Sequence, residues 1–196
     1  MSGAAKGTAP AEFTRAQLDW EPWIDPVPQA ELTERQYAGL TDKARAASPY
    51  FRLLARDPDV LGARTRTDKD IFYNTAVGLP RAERELSAAA VSRFNGCIYC
   101  ASVHARFTAT YSKRDGDVDK LLAEGVGAEL GERWDAVVAA AVALTATPSR
   151  FGAAEIQRLR AAGLDDLDIA DVVHSASFFN WANRLMLSLG EPALPG

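Results

Sequence analysis

The sequence predicts an all-α protein, and three observations support this. Apolar side chains recur every three or four residues in several segments, helix-capping residues precede these segments, and glycine or proline follows them. No segment shows the alternation of apolar and polar residues that is typical of a strand. A chain of 196 residues is suited to one domain with a sizeable core. We therefore expect an irregular arm over residues 1–30 and a single all-helical domain over residues 31–196.

Capping residues divide the first half of the domain into helices. Thr33 and Gln36 have the spacing of a capping box, and Ser48-Pro49 breaks or bends the helix that follows. Asp57-Pro58 is an N-cap followed by proline at the first helical position, which predicts a helix over 61–77 closed by Gly78. Pro80 begins the next helix, which ends at Asn95-Gly96.

The second half of the domain continues in the same way. Glycines and prolines separate apolar segments with helical spacing, and Asp165 is the N-cap of a long last helix. The predicted helices cover residues 97–113, 117–124, 131–146, 153–162 and 165–189. The bundle therefore ends on a helix that Gly190 terminates.

Prolines interrupt the N-terminal arm, but the arm also carries two tryptophans, Trp20 and Trp23. Because two indole rings are costly to leave in water, we expect this segment to dock on its own domain or on a neighbouring subunit.

Composition excludes several classes of function. Lys and Arg number 22 against 26 Asp and Glu, so the net charge is −4, which argues against nucleic acid or an anionic membrane as the main partner. No apolar run is long enough to cross a membrane, and residues 1–10 lack the apolar core of a signal peptide. A cytoplasmic protein is the default expectation.

The candidate site is the segment Cys97-Ile98-Tyr99-Cys100-Ala101-Ser102-Val103-His104, which contains both cysteines of the chain. At about 100° per residue, Cys97, Cys100 and His104 fall on one face of a helix, within about 60°. Both thiols lie near a helix N-terminus, which favours the thiolate, and His104 lies one turn further on as a base. Glu85, or alternatively Glu83, supplies a carboxylate if the preceding helix folds back.

Three other interpretations of the cysteine pair compete with a redox dithiol. Cysteines are often simply small buried apolar residues. Half of a zinc site is a second interpretation, although a structural zinc site normally needs four protein ligands. A thioredoxin-type motif needs a βαβ context, which this sequence lacks.

The segment from Glu85 to His104 resembles the alkylhydroperoxidase D branch of the carboxymuconolactone decarboxylase superfamily. The phrase Ser92-Arg93-Phe94-Asn95-Gly96-Cys97-Ile98-Tyr99-Cys100 is most similar to its peroxidase-related subgroup, as are the C-terminal segment 171–185 and the tryptophans of the arm. The resemblance implies an antiparallel helical bundle that forms a homo-oligomer, as a dimer, trimer or hexamer. It implies no cofactor and no metal.

The resemblance also assigns roles to the site residues. Cys100 is then the thiol that attacks a peroxide, Cys97 resolves the sulfenic acid as a disulfide, and His104 with Glu85 forms a proton relay. A dithiol reductant of the lipoyl-protein or thioredoxin kind restores the thiols. The helix dipole alone instead favours Cys97 as the more acidic thiol.

Two further residues are candidates for the substrate pocket. Tyr99 occupies the position where the best-described members carry a second histidine, and His174 lies in a largely apolar helix. Both side chains are also suited to plain packing roles.

The leading functional hypothesis is a thiol-dependent peroxidase acting on hydrogen peroxide or organic hydroperoxides. A lactone decarboxylase is the second hypothesis, although acid–base chemistry of that kind has no need of two thiols. The third is a redox switch with little turnover.

Overall fold

The computed structural model describes residues 8–74 and 76–195, and this part of the chain forms a helical bundle with one small sheet. The helices are α1 Glu34–Leu40, α2 Pro49–Leu54, α3 Pro58–Tyr73, α4 Arg81–Asn95, α5 Ile98–Ser112, α6 Asp115–Glu124, α7 Glu132–Thr145, α8 Ala153–Ala161 and α9 Asp166–Leu189. Short 3₁₀ turns occupy Gln29–Glu31 and Lys43–Ala47. The strands β1 Asp19–Pro22 and β2 Gly190–Ala193 pair antiparallel. The all-α prediction is confirmed.

Helix α4 lies at the centre of the bundle and packs against α5, α7 and α9. Its side chains are buried all round from Glu83 to Ser92, which is unusual for a helix of a single domain. The small side chains of Ala88 to Ala90 allow the neighbouring helices to approach closely. The same helix carries Glu85 into the interior, where an unpaired carboxylate would be costly.

The turn between α4 and α5 places the candidate site. Gly96 ends α4 in the left-handed conformation with φ of 81°, which glycine adopts without strain. Cys97 follows at once as the N-cap of α5, so the chain reverses within two residues. The predicted Asn95-Gly96 turn is therefore confirmed, and it folds Glu85 back towards the beginning of α5.

Several predicted boundaries in the first half were wrong. The first helix ends at Leu40, because Thr41 adopts the left-handed conformation with φ of 59°, and α2 begins separately at Pro49. Helix α3 ends at Tyr73 and not at Val77. Thr75 lies outside the described residues.

The N-terminal arm is more ordered than its prolines predicted. Residues 1–7 lie outside the described residues, but β1 pairs with the C-terminal β2, and the sequence analysis had found no strand. Trp20 is buried and its ring contacts that of Tyr50 edge to face at 5.3 Å. Arg15 forms ion pairs with Asp115 and Asp119. Trp20 thus docks on the body as expected, whereas Trp23 remains 58% exposed.

In the described part of the chain, no helix combines the length and the apolar character that a membrane crossing demands.

Candidate functional site

The two cysteines begin helix α5 as free, buried thiols. Cys100 forms part of the wall of a pocket of about 180 Å³, and Cys97 is not among the residues that line this pocket. A small molecule in the pocket therefore meets Cys100 first, with Cys97 behind it at the N-cap.

His104 and Glu85 form a close pair in the same pocket. Nδ1 of His104 lies 2.5 Å from Oε2 of Glu85, and the Glu85 side chain is only 1% exposed. Because a carboxylate accepts hydrogen bonds, Nδ1 carries the proton and Nε2 is the nitrogen that exchanges protons with a reacting group. The ring is held edge to face by Phe179 at 3.9 Å and lies 5.4 Å from Phe72. The structure thus joins Glu85 and His104 as the sequence predicted.

Arg81 extends this pair and was missed by the sequence analysis. Its Nε lies 2.7 Å from Oε1 of Glu85, one helical turn further on. Its guanidinium also contacts the faces of aromatic rings, those of Phe72, Tyr73, Phe107 and Tyr111. Burial is the largest single effect and acts to lower the pKa of Arg81, but the charge and the hydrogen bond of Glu85, together with the effects of Tyr73 and Tyr111, raise it. The arginine four residues before Glu85 was the available signal.

The two thiols interact strongly with each other. The Cys100 thiol lowers the pKa of Cys97 most, and the backbone amide of Cys100 adds to this against the effect of burial. The pKa of Cys100 is raised well above its usual value, first by Cys97 and then by burial. The pair therefore loses a first proton readily and holds the second tightly. The first proton to leave is therefore that of Cys97, whose thiolate is stabilised chiefly by the Cys100 thiol.

Asn183 on α9 interacts with both thiols, a role that the sequence did not predict. Its side chain is fully buried and lowers the pKa of both Cys97 and Cys100. Its amide also donates to Ser92 at 3.0 Å and accepts from Asn95 at 3.2 Å. A polar side chain within an apolar helix was the signal that pointed to this position.

Of the remaining predicted site residues, one lies in the wall of the thiol pocket and two lie elsewhere. Tyr99 lines the pocket, and burial raises its pKa. His174 lies apart from the thiols, in a separate groove that it lines with Arg66 and Asp171. Glu83 is paired with Arg133 at 2.8 Å and is not in the pocket wall, so Glu85 is the carboxylate of the site.

The donor set offers little to a metal ion. Within residues 8–74 and 76–195, no cluster of three or more His, Cys, Asp or Glu side chains is arranged to hold one.

Comparisons with known proteins agree with this fold. Residues 58–143 match the model of the carboxymuconolactone decarboxylase family. An uncharacterized peroxidase-related protein from Ralstonia eutropha JMP134 with an alkylhydroperoxidase AhpD core superposes with a TM-score of 0.73 at 23% identity, over 86% of this chain and 90% of that chain. An uncharacterized peroxidase-related protein from Silicibacter sp. TM1040 gives a TM-score of 0.68 at 26% identity, over 94% of each chain.

The debrominase Bmp8 shares the fold at lower identity. Its TM-score is 0.67 at 15% identity, over 85% of this chain and 89% of that chain, and a second structure of it contains 2,3,4-tribromopyrrole. No curated protein matches the sequence. Residues 58–143 thus match the carboxymuconolactone decarboxylase family, and the chain has an alkylhydroperoxidase D-like fold.

Proposed function

We propose that the protein is a thiol-dependent peroxidase that reduces hydrogen peroxide or organic hydroperoxides. The observation that carries this proposal is the composition of one pocket. Cys100 lines it beside the Glu85–His104 pair, and the second thiol, Cys97, lies directly behind at the start of the same helix. A pocket of about 180 Å³ suits a small peroxide.

In the first step, His104 accepts a proton from the thiol pair, and Glu85 stabilises the imidazolium that results. The Cys100 thiolate then attacks the terminal oxygen of the peroxide. The sulfur–oxygen bond forms as the oxygen–oxygen bond breaks, which leaves a sulfenic acid on Cys100 and an alkoxide or hydroxide. The imidazolium of His104 returns its proton to this leaving group, so an alcohol or water departs.

In the second step, Cys97 attacks the sulfur of the sulfenic acid. A disulfide forms between Cys97 and Cys100, and water leaves with the thiol proton of Cys97. The spacing of three residues on a first helical turn suits this short loop. A dithiol reductant, such as a lipoyl protein or a thioredoxin-like protein, regenerates the thiols by exchange.

The direct test measures peroxide consumption with a dithiol donor in wild type and in the Cys100→Ser and Cys97→Ser variants. We expect Cys100→Ser to lose activity entirely. A sulfenic acid trap should label Cys100 in the Cys97→Ser protein, because this variant attacks peroxide but has no resolving thiol.

Three results would contradict parts of the proposal. A Cys100→Ser protein as active as wild type would exclude the peroxidase mechanism. Trap labelling of Cys97 in the Cys100→Ser protein, at the wild-type rate, would reverse the order of attack. A disulfide that forms with peroxide but turns over slowly with every dithiol would favour the redox switch.

A further inference from the structure

Arg64 is a buried cation in the wall of the thiol pocket that the mechanism above does not use. It lies on α3, and its side chain is 9% exposed. The guanidinium lies over the rings of Phe51 at 5.8 Å and Phe178 at 5.3 Å. Arg64 and Cys100 line the same pocket, and Cys97 does not.

The hydrogen-bonding capacity of Arg64 is largely unused. Its ion-pair partner is Asp68, one turn further along α3, at 3.6 Å, which is too long for a hydrogen bond. Its Nε is buried and has no hydrogen-bond partner among the described residues. Arg81, by contrast, binds its carboxylate at 2.7 Å. Because a buried N–H without a partner is costly, the position of Arg64 suits an anion in the pocket.

The charges of the pocket indicate which anion this is. Two cations, Arg64 and Arg81, face two carboxylates, Asp68 and Glu85, so the pocket wall is neutral before a thiol ionises. Ionisation of the thiol pair adds one negative charge. Since Arg81 and the imidazolium of His104 are both closely bound to Glu85, Arg64 is the cation of the pocket wall with the weakest carboxylate partner.

The influence of Arg64 on the two thiols is unequal. Arg64 lowers the pKa of Cys100, against the larger effects of Cys97 and burial that raise it. The groups that lower the pKa of Cys97 are Cys100 and Asn183. Asn183, in contrast to Arg64, lowers the pKa of both thiols.

We propose that Arg64 is a positioning residue that stabilises negative charge on Cys100 more than on Cys97, and so promotes the shift of the shared charge from Cys97 to Cys100, the sulfur that meets the peroxide. The proton moves from the Cys100 sulfur to the Cys97 sulfur, and the total charge of the pair does not change. This inference rests on the proposed peroxidase function, because it concerns which thiol attacks.

Other charged and titratable groups surround the thiols and contribute to the same balance. They come from four helices and are Tyr50 of α2, Arg64, Asp68 and Tyr73 of α3, Arg81 and Glu85 of α4, and Tyr99 and His104 of α5. The test therefore compares the two cysteines within one protein, so that the shared surroundings cancel.

The experiment titrates each thiol alone, by the ultraviolet absorbance of the thiolate against pH. Arg64→Met is combined with Cys97→Ser, which leaves Cys100, and separately with Cys100→Ser, which leaves Cys97. We expect Arg64→Met to raise the midpoint of Cys100 by about one pH unit, which is roughly tenfold less thiolate, and to leave the midpoint of Cys97 in place. Arg64→Lys should restore most of the shift, because it keeps the charge.

Arg66→Met is the matched control, since Arg66 is an exposed arginine of the same helix and lies outside the thiol pocket. It should move neither midpoint. If circular dichroism shows that Arg64→Met does not fold, Arg64→Gln takes its place, and we expect it to shift the midpoint of Cys100 in the same way.

Equal shifts at both cysteines, or no shift at Cys100, would overturn the proposal. The titration uses no peroxide, so its result is independent of whether the protein is a peroxidase. Failure of the peroxidase assay with a selective shift at Cys100 would refute the function and leave the charge asymmetry standing.

Discussion

Glu85 holds two cationic partners with its two carboxylate oxygens, His104 on one and Arg81 on the other. Glu85→Gln keeps the shape of the side chain and removes its charge. We expect kcat/KM for peroxide to fall by about 10²–10³-fold, because the imidazolium formed during the reaction loses its counter-ion. Steady-state kinetics with a dithiol donor measures this.

Glu83→Gln is the control for this prediction. Glu83 lies on the same helix and also binds an arginine, Arg133, but outside the thiol pocket. Its substitution should cost stability and leave kcat/KM within about twofold of wild type. Equal losses of activity in the two variants would show that the charge of Glu85 acts through folding alone.

Tyr50 makes stability depend on pH at the alkaline end. Burial, the largest cause, raises its pKa to about 12 from 10.0. A raised pKa in the folded state stabilises the protein fully below the unfolded pKa, and this contribution is lost as pH rises from 10 through 12. Two units correspond to about 3 kcal/mol.

Tyr50→Phe should therefore remove this part of the alkaline loss. We expect the free energy of unfolding of wild type, relative to Tyr50→Phe, to fall by about 1.4 kcal/mol per pH unit above pH 10. Denaturant unfolding at several pH values measures the difference. Tyr111→Phe, at a half-exposed position, keeps Tyr50 and should retain the wild-type loss. Parallel curves for wild type and Tyr50→Phe would contradict the prediction.

Helices with local signals were the predictable part of the fold. The caps at Thr33, Asp57 and Asp165 and the turn at Gly96 all depend on neighbouring residues, and each was identified from sequence. The strands were missed because β1 pairs with a segment at the opposite end of the chain, and neither strand alternates. Pairing of that kind depends on the finished bundle.

Residues of the candidate site could likewise be predicted where they lie close together in the sequence. Cys97, Cys100 and His104 share one helix face, so helical spacing was sufficient to group them. Arg64 comes from α3 and Asn183 from α9, and their approach to the thiols depends on how the helices pack. The spacing of residues along the chain does not show which side chains from separate helices come together.

The small sheet connects the arm to the C-terminus through a close contact at Gly190. A Cβ atom added there would collide with the indole of Trp20 and the carbonyl oxygen of Glu21. We expect Gly190→Ala to destabilise the protein by about 1–3 kcal/mol and to expose Trp20, since the two strands must separate. Tryptophan fluorescence during denaturant unfolding measures both effects.

Gly116→Ala is the matched control for the sheet. Gly116 lies in α6, and a Cβ atom there meets nothing within 4 Å. This substitution should leave stability unchanged or raise it by up to about 1 kcal/mol. A Gly190→Ala protein as stable as wild type would show that the strand pairing adds little to the fold.

Arg84 connects the segments that surround the central helix, and its loss tests how the whole molecule is held together. The guanidinium is buried, forms an ion pair with Asp171 of α9 at 2.7 Å, and donates to backbone carbonyls at the end of α3 and in the connection between α3 and α4. These acceptors are the carbonyl oxygens of Ile71, Val77 and Leu79. Asp171 in turn accepts from the backbone N–H of Leu79. The Arg84 side chain thus holds the end of α3 and the connection to α4 in place.

Arg84→Met should destabilise the fold by about 3–5 kcal/mol, because it leaves Asp171 and the carbonyls without their buried cation. For a domain of this size the melting temperature would fall by about 10 °C. Arg66→Met, an exposed change in the same groove, should have little effect. Calorimetry of both variants tests this prediction. Equal melting temperatures would mean that helix packing alone holds the connection between α3 and α4 in place.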